Sequence, residues 1–269
     1  MPVKVDAYKR RWVEVEFVLP GNQEQVFAAV ATGAGMSSWF AKTTIEEKVG
    51  GELVFDMGGG MFSKGIVNAW EAPHRIAYEE REWMEGAPPC ATEVVVAERH
   101  GGNSLVKMSH TLFWPDEKWD DQLESFEKGW PGFFEVLGIY LQDFAGQPAS
   151  SFGASKVHPG TQAEAWTILT EALGFTAVDH GDRREAKAPA PALAGTVARV
   201  LQNAHSREIL VRLEEPGGVA LLGTYTWMDN TRASIAIYRY GEKAAASAAA
   251  DEAAWTAFMD RLFPSKEEG

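Results

Sequence analysis

The sequence predicts an α+β fold that occurs twice in tandem, each copy combining an antiparallel β-sheet with a closing helix. Three observations predict this fold. The chain has 269 residues, more than a single core usually organises. Apolar residues alternate in short segments separated by turn residues, whereas residues 120–144 repeat at helical spacing. A similar order of segments begins again after residue 160, so we expect two domains.

The first domain opens with a strand and two helices. Residues 11–19 alternate at period two, which predicts a half-buried strand. Its inward side chains are Val13, Val15, Phe17 and Leu19. Asn22 is a suitable N-cap for the helix that follows. A second short helix is predicted to hold Trp39 and Phe40.

Five strand segments and a long helix complete the first domain. The strand segments are residues 50–56, 62–70, 74–81, 92–99 and 104–113. The turns between them are rich in Gly, Pro and Asn, which favours hairpins over crossovers. Residues 120–144 carry apolar side chains at three- and four-residue steps, as in an amphipathic helix, and Pro131 predicts a kink within it.

A segment rich in Gly, Pro, Ala and Ser follows, and it predicts the domain boundary. The predicted domains are residues 1–146 and residues 161–269, joined by a linker over residues 147–160. The second domain contains a helix at its start, several strand candidates and a closing amphipathic helix.

The two domains align as an internal repeat. Three pairs of positions align in order with offsets that fall from 139 to 130 to 125, namely Phe27 with Trp166, Gly65 with Gly195, and Trp130 with Trp255. The largest loss falls where the first copy has its second short helix, so the second copy is predicted to lack that lid. The alternative is that two α+β halves slide into partial register by chance.

Composition and charge exclude several classes of function. The net charge of -13 opposes binding to nucleic acid or to an anionic membrane surface. The single cysteine, Cys90, cannot form an intrachain disulfide, and no apolar stretch is typical of a signal peptide or long enough to span a bilayer. We therefore expect a cytoplasmic protein without a membrane span.

Four segments resemble a known family. They are residues 11–40, 50–79, 105–113 and 128–144. Together they resemble the proteins similar to the heat-shock chaperone ATPase activator, within the SRPBCC or START-like superfamily. The resemblance covers about residues 11–146 and is weaker in the second copy. It implies a helix-grip fold, in which a curved antiparallel sheet wraps the long C-terminal helix and leaves a largely apolar cavity.

The resemblance also implies a ligand site lined by aromatic side chains. The candidate ligand-binding residues are Trp39, Phe40, Phe55, Tyr78, Trp83, His110, Trp130, Phe133 and Phe134. Such residues form a broad apolar wall suited to flat or lipid-like ligands. The alternative is that they form an ordinary core, which is the common role of aromatic residues at helical spacing.

Two polar candidates have open interpretations. His110 shares a strand face with apolar residues, so it is either a cavity group that titrates near neutral pH or a hydrogen-bonded structural histidine. Tyr78 and Glu80 share a face of their strand. The density of charge at the end of this strand predicts a solvated face there.

Motifs for catalysis, metal or cofactor binding are not recognised in the sequence. The glycine-rich residues 57–62 lack the ending of a phosphate-binding loop and do not open a helix, so we interpret them as a hairpin at the cavity mouth. The histidines lack metal-ligand spacing, and no nucleophile elbow occurs. We therefore expect no metal, no cofactor and no assigned catalytic residue.

These observations lead to one main hypothesis of function and two alternatives. The main hypothesis is binding or carriage of a small, mainly hydrophobic ligand in the first domain. The first alternative is an enzyme of the polyketide cyclase or aromatase kind, which would use polar groups in the cavity. The second is an interaction module that resembles the chaperone ATPase activator, with a chaperone or a second copy of the chain as partner.

Overall fold

Two antiparallel sheets, one in each of two units of the chain, carry the fold. The units are Met1–Gly146 and Gln147–Gly269. The computed structural model describes residues 3–58, 60–114, 116–203, 206–214, 217–227 and 229–264.

The first unit contains an eight-stranded sheet and three α-helices. In chain order these are β1 (Lys4–Val5), β2 (Arg11–Pro20), α1 (Gln23–Ala31), α2 (Gly33–Ser37), β3 (Lys42–Ile45), β4 (Glu52–Asp56), β5 (Phe62–Glu71), β6 (Arg75–Glu80), β7 (Cys90–Arg99), β8 (Asn103–Leu112) and α3 (Asp120–Ile139). The spatial order of the strands is β1-β2-β8-β7-β6-β5-β4-β3, and every neighbouring pair is antiparallel. The first long strand therefore pairs with the last.

The helices of the first unit begin and end for identifiable reasons. Asn22 caps α1 by accepting a hydrogen bond from the Gln25 backbone N–H, and the Gln25 side chain accepts one from the Asn22 N–H. Gly35 allows α2 to lie against α1, because a Cβ atom there would be 2.0 Å from the Ala28 oxygen. The sequence predicted that this second helix would hold Trp39 and Phe40, but α2 ends at Ser37 and both residues lie in the turn that follows Ser38.

The long helix packs across the sheet. Helix α3 contacts β2 and β8, and its α-helical segment is continuous through Pro131. A π-helical turn over Tyr140–Phe144 then completes the predicted helix. The hydrophobic face of α3 buries Leu123, Phe134 and Leu137. This arrangement of an antiparallel sheet around a closing helix confirms the predicted helix-grip fold.

The second unit has the same plan with fewer elements. In chain order these are β9 (Ala149–His158), α4 (Gln162–Leu173), β10 (Arg183–Glu185), β11 (Ala194–Gln202), β12 (Ser206–Leu213), β13 (Gly218–Trp227), β14 (Asn230–Tyr240) and α5 (Ala244–Leu262). The strand order is β10-β11-β12-β13-β14-β9, so the first strand again pairs with the last. Helix α5 packs on β9 and β14. Residues 174–182 are all described and contain no second helix, as the repeat alignment predicted.

The segment predicted to be a linker, residues 147–160, contains strand β9. All ten of its residues pair with β14, from Ala149 opposite Tyr240 to His158 opposite Thr231. Phe152 and Ala154 bury their side chains in the core of the second unit. The Gly, Ala and Ser residues that suggest a linker are therefore small side chains of an edge strand.

A β-bulge at equivalent positions supports the duplication. The register of β5 against β6 shifts between Val67 and Ala69, and that of β11 against β12 shifts between Val197 and Arg199. The Val67 oxygen accepts a hydrogen bond from a glycine N–H at 2.8 Å, and the Val197 oxygen does the same. The two bulges lie 130 positions apart in the sequence, which is the same offset that aligns Gly65 with Gly195.

Candidate functional site

The predicted ligand-binding residues meet on the inner face of the first unit, which we define as the sheet face that contacts α3. Phe17 of β2 and Phe134 of α3 stack across this face with ring centroids 3.9 Å apart. Around this pair, rings from the segment after α2, from β4 and β6, and from α3 contact one another. The inner face is therefore aromatic along much of its length.

All nine predicted residues belong to one network of ring contacts, which we call the aromatic cluster. Phe40 lies at its centre, with ring centroids 5.0 Å from Trp130, 5.2 Å from Phe133 and 5.5 Å from Phe55. Trp83 joins through Phe126, a residue that the sequence analysis missed, and Phe126 in turn lies 5.0 Å from His110. Phe126 could have been found, because it shares the helical repeat of the other α3 residues.

The cluster divides into a buried part and a part that solvent reaches. Buried members are Trp39, Phe55, Tyr78, His110 and Phe134. Half-buried members are Phe40, Trp83, Trp130 and Phe133, together with Phe126, which joins Trp83 to the others. Because large aromatic residues that remain partly exposed in contact with one another favour a binding surface, the half-buried part is the candidate entrance.

A row of hydrogen-bonding side chains crosses the inner face beneath the rings. Tyr78 on β6 lies opposite Thr92 on β7, and Thr92 lies opposite His110 on β8. Thr92 Oγ1 is 2.9 Å from His110 Nδ1, and Trp130 Nε1 donates to His110 Nε2 at 2.6 Å. An indole N–H can only donate, so neutral His110 carries its proton on Nδ1 and donates it to Thr92.

His110 is a structural histidine rather than a group that titrates near neutral pH. Burial lowers the pKa of His110 from 6.5 to about 3. Both ring nitrogens are already engaged, by Thr92 and by Trp130. The interpretation of His110 as a neutral-pH acid or base is therefore wrong, and its ring serves to fix Trp130 of the aromatic cluster.

Glu80 is the functional candidate that sequence reasoning missed. Glu80 lies two residues after Tyr78 on β6, so both side chains lie on the inner face of the sheet. The charged residues around it had instead predicted a solvated face. The Ser63 hydroxyl donates a hydrogen bond to the Glu80 carboxylate. Burial raises the pKa of Glu80 to about 7, and the Ser63 bond only partly offsets this. The side chain is half-buried, so it remains within reach of a ligand.

Two further groups near Glu80 stay protonated. Burial first, and then the charge of Glu80, raise the pKa of the Tyr78 hydroxyl well above its usual value. The same two causes raise the pKa of the Cys90 thiol, and Cys90 lies directly opposite Glu80 across the β6–β7 pair. Glu80 is thus the group of this set whose protonation changes near neutral pH.

The second unit has an apolar row in place of the polar one. Counting across the strands from each bulge, Tyr78 corresponds to Val211, Thr92 to Ala220, His110 to Ile237, and Glu80 to Leu213. Trp255 corresponds to Trp130 and is fully buried, but its Nε1 has no hydrogen-bond partner among the residues that the structure describes. The polar chemistry is therefore confined to the first of the two inner faces.

The outer face of the first sheet has a groove of about 250 Å³ between β2, β7 and β8. Each of the four charged side chains that line it, which are Arg10, Glu14, Glu93 and Lys107, forms an ion pair. Glu14 binds Lys4 at 3.0 Å and Lys107 at 2.8 Å, and the Lys107 bond holds the pKa of Glu14 below its usual value. These ion pairs leave little free hydrogen-bonding capacity for a ligand.

Across the described residues there is no group of three or more His, Cys, Asp and Glu side chains placed to hold a metal ion. No helix in the same part of the chain is long and apolar enough to cross a membrane.

Comparison with known proteins gives a family match for the first unit. Residues 21–142 match the family described as Activator of Hsp90 ATPase homolog 1-like protein. No curated protein matches the chain.

Several solved structures are similar in fold. The di-domain ARO/CYC BexL from the BE-7585A biosynthetic pathway is 11% identical, with 96% of this chain and 100% of BexL covered at a TM-score of 0.45. DynU16, from the dynemicin biosynthetic locus, is 17% identical, with coverages of 91% and 94% at a TM-score of 0.43. CalU16 from Micromonospora echinospora is 17% identical, with coverages of 53% and 83% at a TM-score of 0.43. Likeness at this level carries no information about the activity of this chain.

Proposed function

We propose that the first unit, in which residues 21–142 match the family described as Activator of Hsp90 ATPase homolog 1-like protein, binds a small, mainly apolar molecule at the aromatic cluster on its inner face. One observation supports this proposal above the others. Phe40, Trp130 and Phe133 contact one another and remain half-buried, although the neighbouring rings of Trp39, Phe55 and Phe134 are buried. A ligand that covers them would gain the free energy of removing their apolar surface from water.

The rigid part of the cluster supports a preformed site. Trp130 is held by its hydrogen bond to His110, and Trp39 by a bond of 2.9 Å from its Nε1 to the Ala29 oxygen. Side chains that are fixed before binding lose little conformational entropy when a ligand arrives. Phe40 and Phe133, whose rings meet edge to face at 5.2 Å, flank this fixed part.

The test is binding of a neutral fluorescent probe, N-phenyl-1-naphthylamine, to the full chain and to two matched variants. Phe133→Ser removes a half-buried ring of the cluster, and Phe113→Ser removes a ring that is 51% exposed just after β8. We expect Phe133→Ser to weaken probe binding about tenfold and Phe113→Ser to leave it unchanged. Equal effects of the two variants, or no saturable binding by the unmodified chain, would contradict the proposal.

A second candidate, acid–base catalysis on an apolar carbonyl compound, is favoured by Glu80. A carboxyl group with a pKa of about 7 can exchange a proton with a substrate at neutral pH. In an aldol cyclisation, the Glu80 carboxylate would take a proton from carbon next to a carbonyl, and the carbanion would attack a second carbonyl of the same molecule. Glu80 would then return the proton to the resulting alkoxide.

This candidate is tested with an aryl 1,5-diketone, whose cyclised product is measured by chromatography. Catalysis by Glu80 predicts a rate above that in buffer, which Glu80→Gln removes and Glu79→Gln retains. A rate no higher than in buffer would exclude it.

A third candidate, stimulation of a chaperone ATPase, is supported by the family description alone. Its test is a chaperone ATPase assay with and without this protein, and an unchanged rate of ATP hydrolysis would exclude it.

A further inference from the structure

The inner face of the first unit has a carboxylate, that of Glu80, for which the described part of the chain shows no cationic partner. Among the described residues, the Ser63 hydroxyl donates a hydrogen bond to Glu80, and no Lys or Arg forms an ion pair with it. The neighbouring Arg81 binds Glu79 at 2.7 Å. Arg11 lies in the same cross-strand row as Glu80 but three strands away, on β2, and it forms an ion pair with Asp120 of α3.

The hydrogen-bond partner of Glu80 and its titratable neighbours on the adjoining strands are neutral at physiological pH. They are Tyr78 on its own strand, Ser63 on β5, Cys90 on β7, and His110 further along the sheet on β8. Burial holds His110 in its neutral form and keeps Tyr78 and Cys90 protonated. A half-buried negative charge without a counter-charge is still costly, because part of its hydration is lost, and an incoming cation relieves that cost.

The surroundings of Glu80 are aromatic. Tyr78 lies two residues before Glu80 on the same strand face, and its ring centroid is 5.8 Å from that of Phe55. On the other side, Cys90 packs in a group that includes Trp83 and Phe126. Aromatic faces attract cations, and together with a carboxylate they recognise ammonium groups.

We infer that the first unit selects apolar ligands that carry an ammonium group, with the Glu80 carboxylate as its counter-ion and the aromatic cluster as the wall for the apolar part. This inference rests on the proposed function, because it assigns the polar end of the same site. The overall charge of -13 also favours cationic over anionic ligands. The equivalent position in the second unit is Leu213, so the second inner face lacks this counter-ion.

The experiment compares three naphthalene probes that differ in one substituent, which is aminomethyl, hydroxymethyl or carboxylate. Their affinities for the full chain are measured by calorimetry at pH 8 and pH 5.5. At pH 8 we expect the aminomethyl probe to bind about tenfold more tightly than the hydroxymethyl probe, and the carboxylate probe to bind weakest. At pH 5.5 Glu80 is protonated, so the preference for the amine decreases.

Matched variants separate Glu80 from the general negative charge of the protein. Glu80→Gln and Glu80→Leu are expected to remove the preference for the amine, whereas Glu79→Gln, which removes the same charge from the opposite face, retains it. Equal affinities for the amine and the alcohol overturn the inference while leaving the proposed function intact. The inference is also overturned if Glu79→Gln acts as Glu80→Gln does. If none of the probes binds, both proposals fail.

Discussion

Trp130 donates its indole N–H to His110 at 2.6 Å, and their rings are nearly parallel, with an angle of 5° between the planes. This contact joins the closing helix of the first unit to the centre of its sheet. In the second unit Trp255 keeps the indole, but Ile237 stands where His110 would accept the bond. The two tryptophans therefore contribute differently to the free energy of unfolding, although they occupy equivalent positions.

The first prediction concerns these two tryptophans. Trp130→Phe removes a hydrogen bond and leaves His110 Nε2 without its donor, whereas Trp255→Phe removes a buried N–H for which no described residue is a partner. We expect Trp130→Phe to reduce the free energy of unfolding of its unit by about 2 kcal/mol more than Trp255→Phe. Burial alone predicts the reverse order, because Trp255 is 0% exposed and Trp130 is half-buried. Amide hydrogen exchange in α3 and α5 of the full chain measures both, and a larger loss at Trp255 would refute the prediction.

The second prediction concerns acid stability and His110. Its pKa is lowered from 6.5 to about 3, so the unfolded state binds a proton in this range that the folded state does not. The stabilisation is complete above about pH 6.5 and decreases as the pH falls toward 3. We expect His110→Gln, which has no titrating ring, to make urea stability less dependent on pH across this window. If urea stability depends on pH in the same way in the variant and in the unmodified chain, the pKa of folded His110 is not lowered and the prediction is wrong.

The third prediction concerns Glu80, whose pKa is shifted in the opposite direction. Its folded pKa of about 7 exceeds the ordinary 4.5, so the folded state binds the extra proton between these values. Stability contributed by the protonated carboxyl is complete below about pH 4.5 and is lost as the pH rises through 7. Glu80→Gln should therefore stabilise the first unit above pH 7 and change little below pH 4.5.

Glu79→Gln is the control for this prediction, because Glu79 binds Arg81 on the outer face. Urea midpoints at pH 5 and pH 8 measure both variants. A Glu80→Gln variant that loses stability at pH 8 would mean that the carboxylate is compensated in the folded protein.

The fourth prediction concerns the glycines before the two bulges. A Cβ atom at Gly195 would lie 2.2 Å from the Arg212 oxygen, and one at Gly65 would lie 2.9 Å from the Glu79 oxygen. Both oxygens belong to backbone, which cannot move away easily. We expect Gly195→Ala to cost about 3 kcal/mol and Gly65→Ala about 1 kcal/mol. Hydrogen exchange in β11 and β5 measures the two effects, and a larger cost at Gly65 would contradict this ranking.

Much of the fold follows from the sequence, because antiparallel strands repeat at period two and α3 repeats at helical spacing. Strand β9 was not predicted. Its residues Phe152 and Ala154 face the core, but the Gly, Ala and Ser residues between and around them resemble a linker. These residues form a strand because they pair with β14, which lies about 80 residues later in the sequence and is not visible in the local pattern.

The aromatic residues of the candidate site could be predicted from the sequence, but its titratable carboxyl group and its hydrogen bonds could not. The aromatic residues were named from the sequence because their spacing and the family resemblance both indicate them. Glu80 was missed since its flanking charges suggested solvent, although its parity with Tyr78 already indicated the inner face. The partner of His110 could not be read from the sequence, because the bond to Trp130 depends on how the helix crosses the sheet.

The indole of Trp255 also shows how one change of partner alters the value of the same group. Its buried Nε1 has no acceptor among the described residues, and Ile237 occupies the position that His110 has in the first unit. A buried donor without an acceptor costs free energy, so the indole N–H that stabilises the first core is a cost to the second.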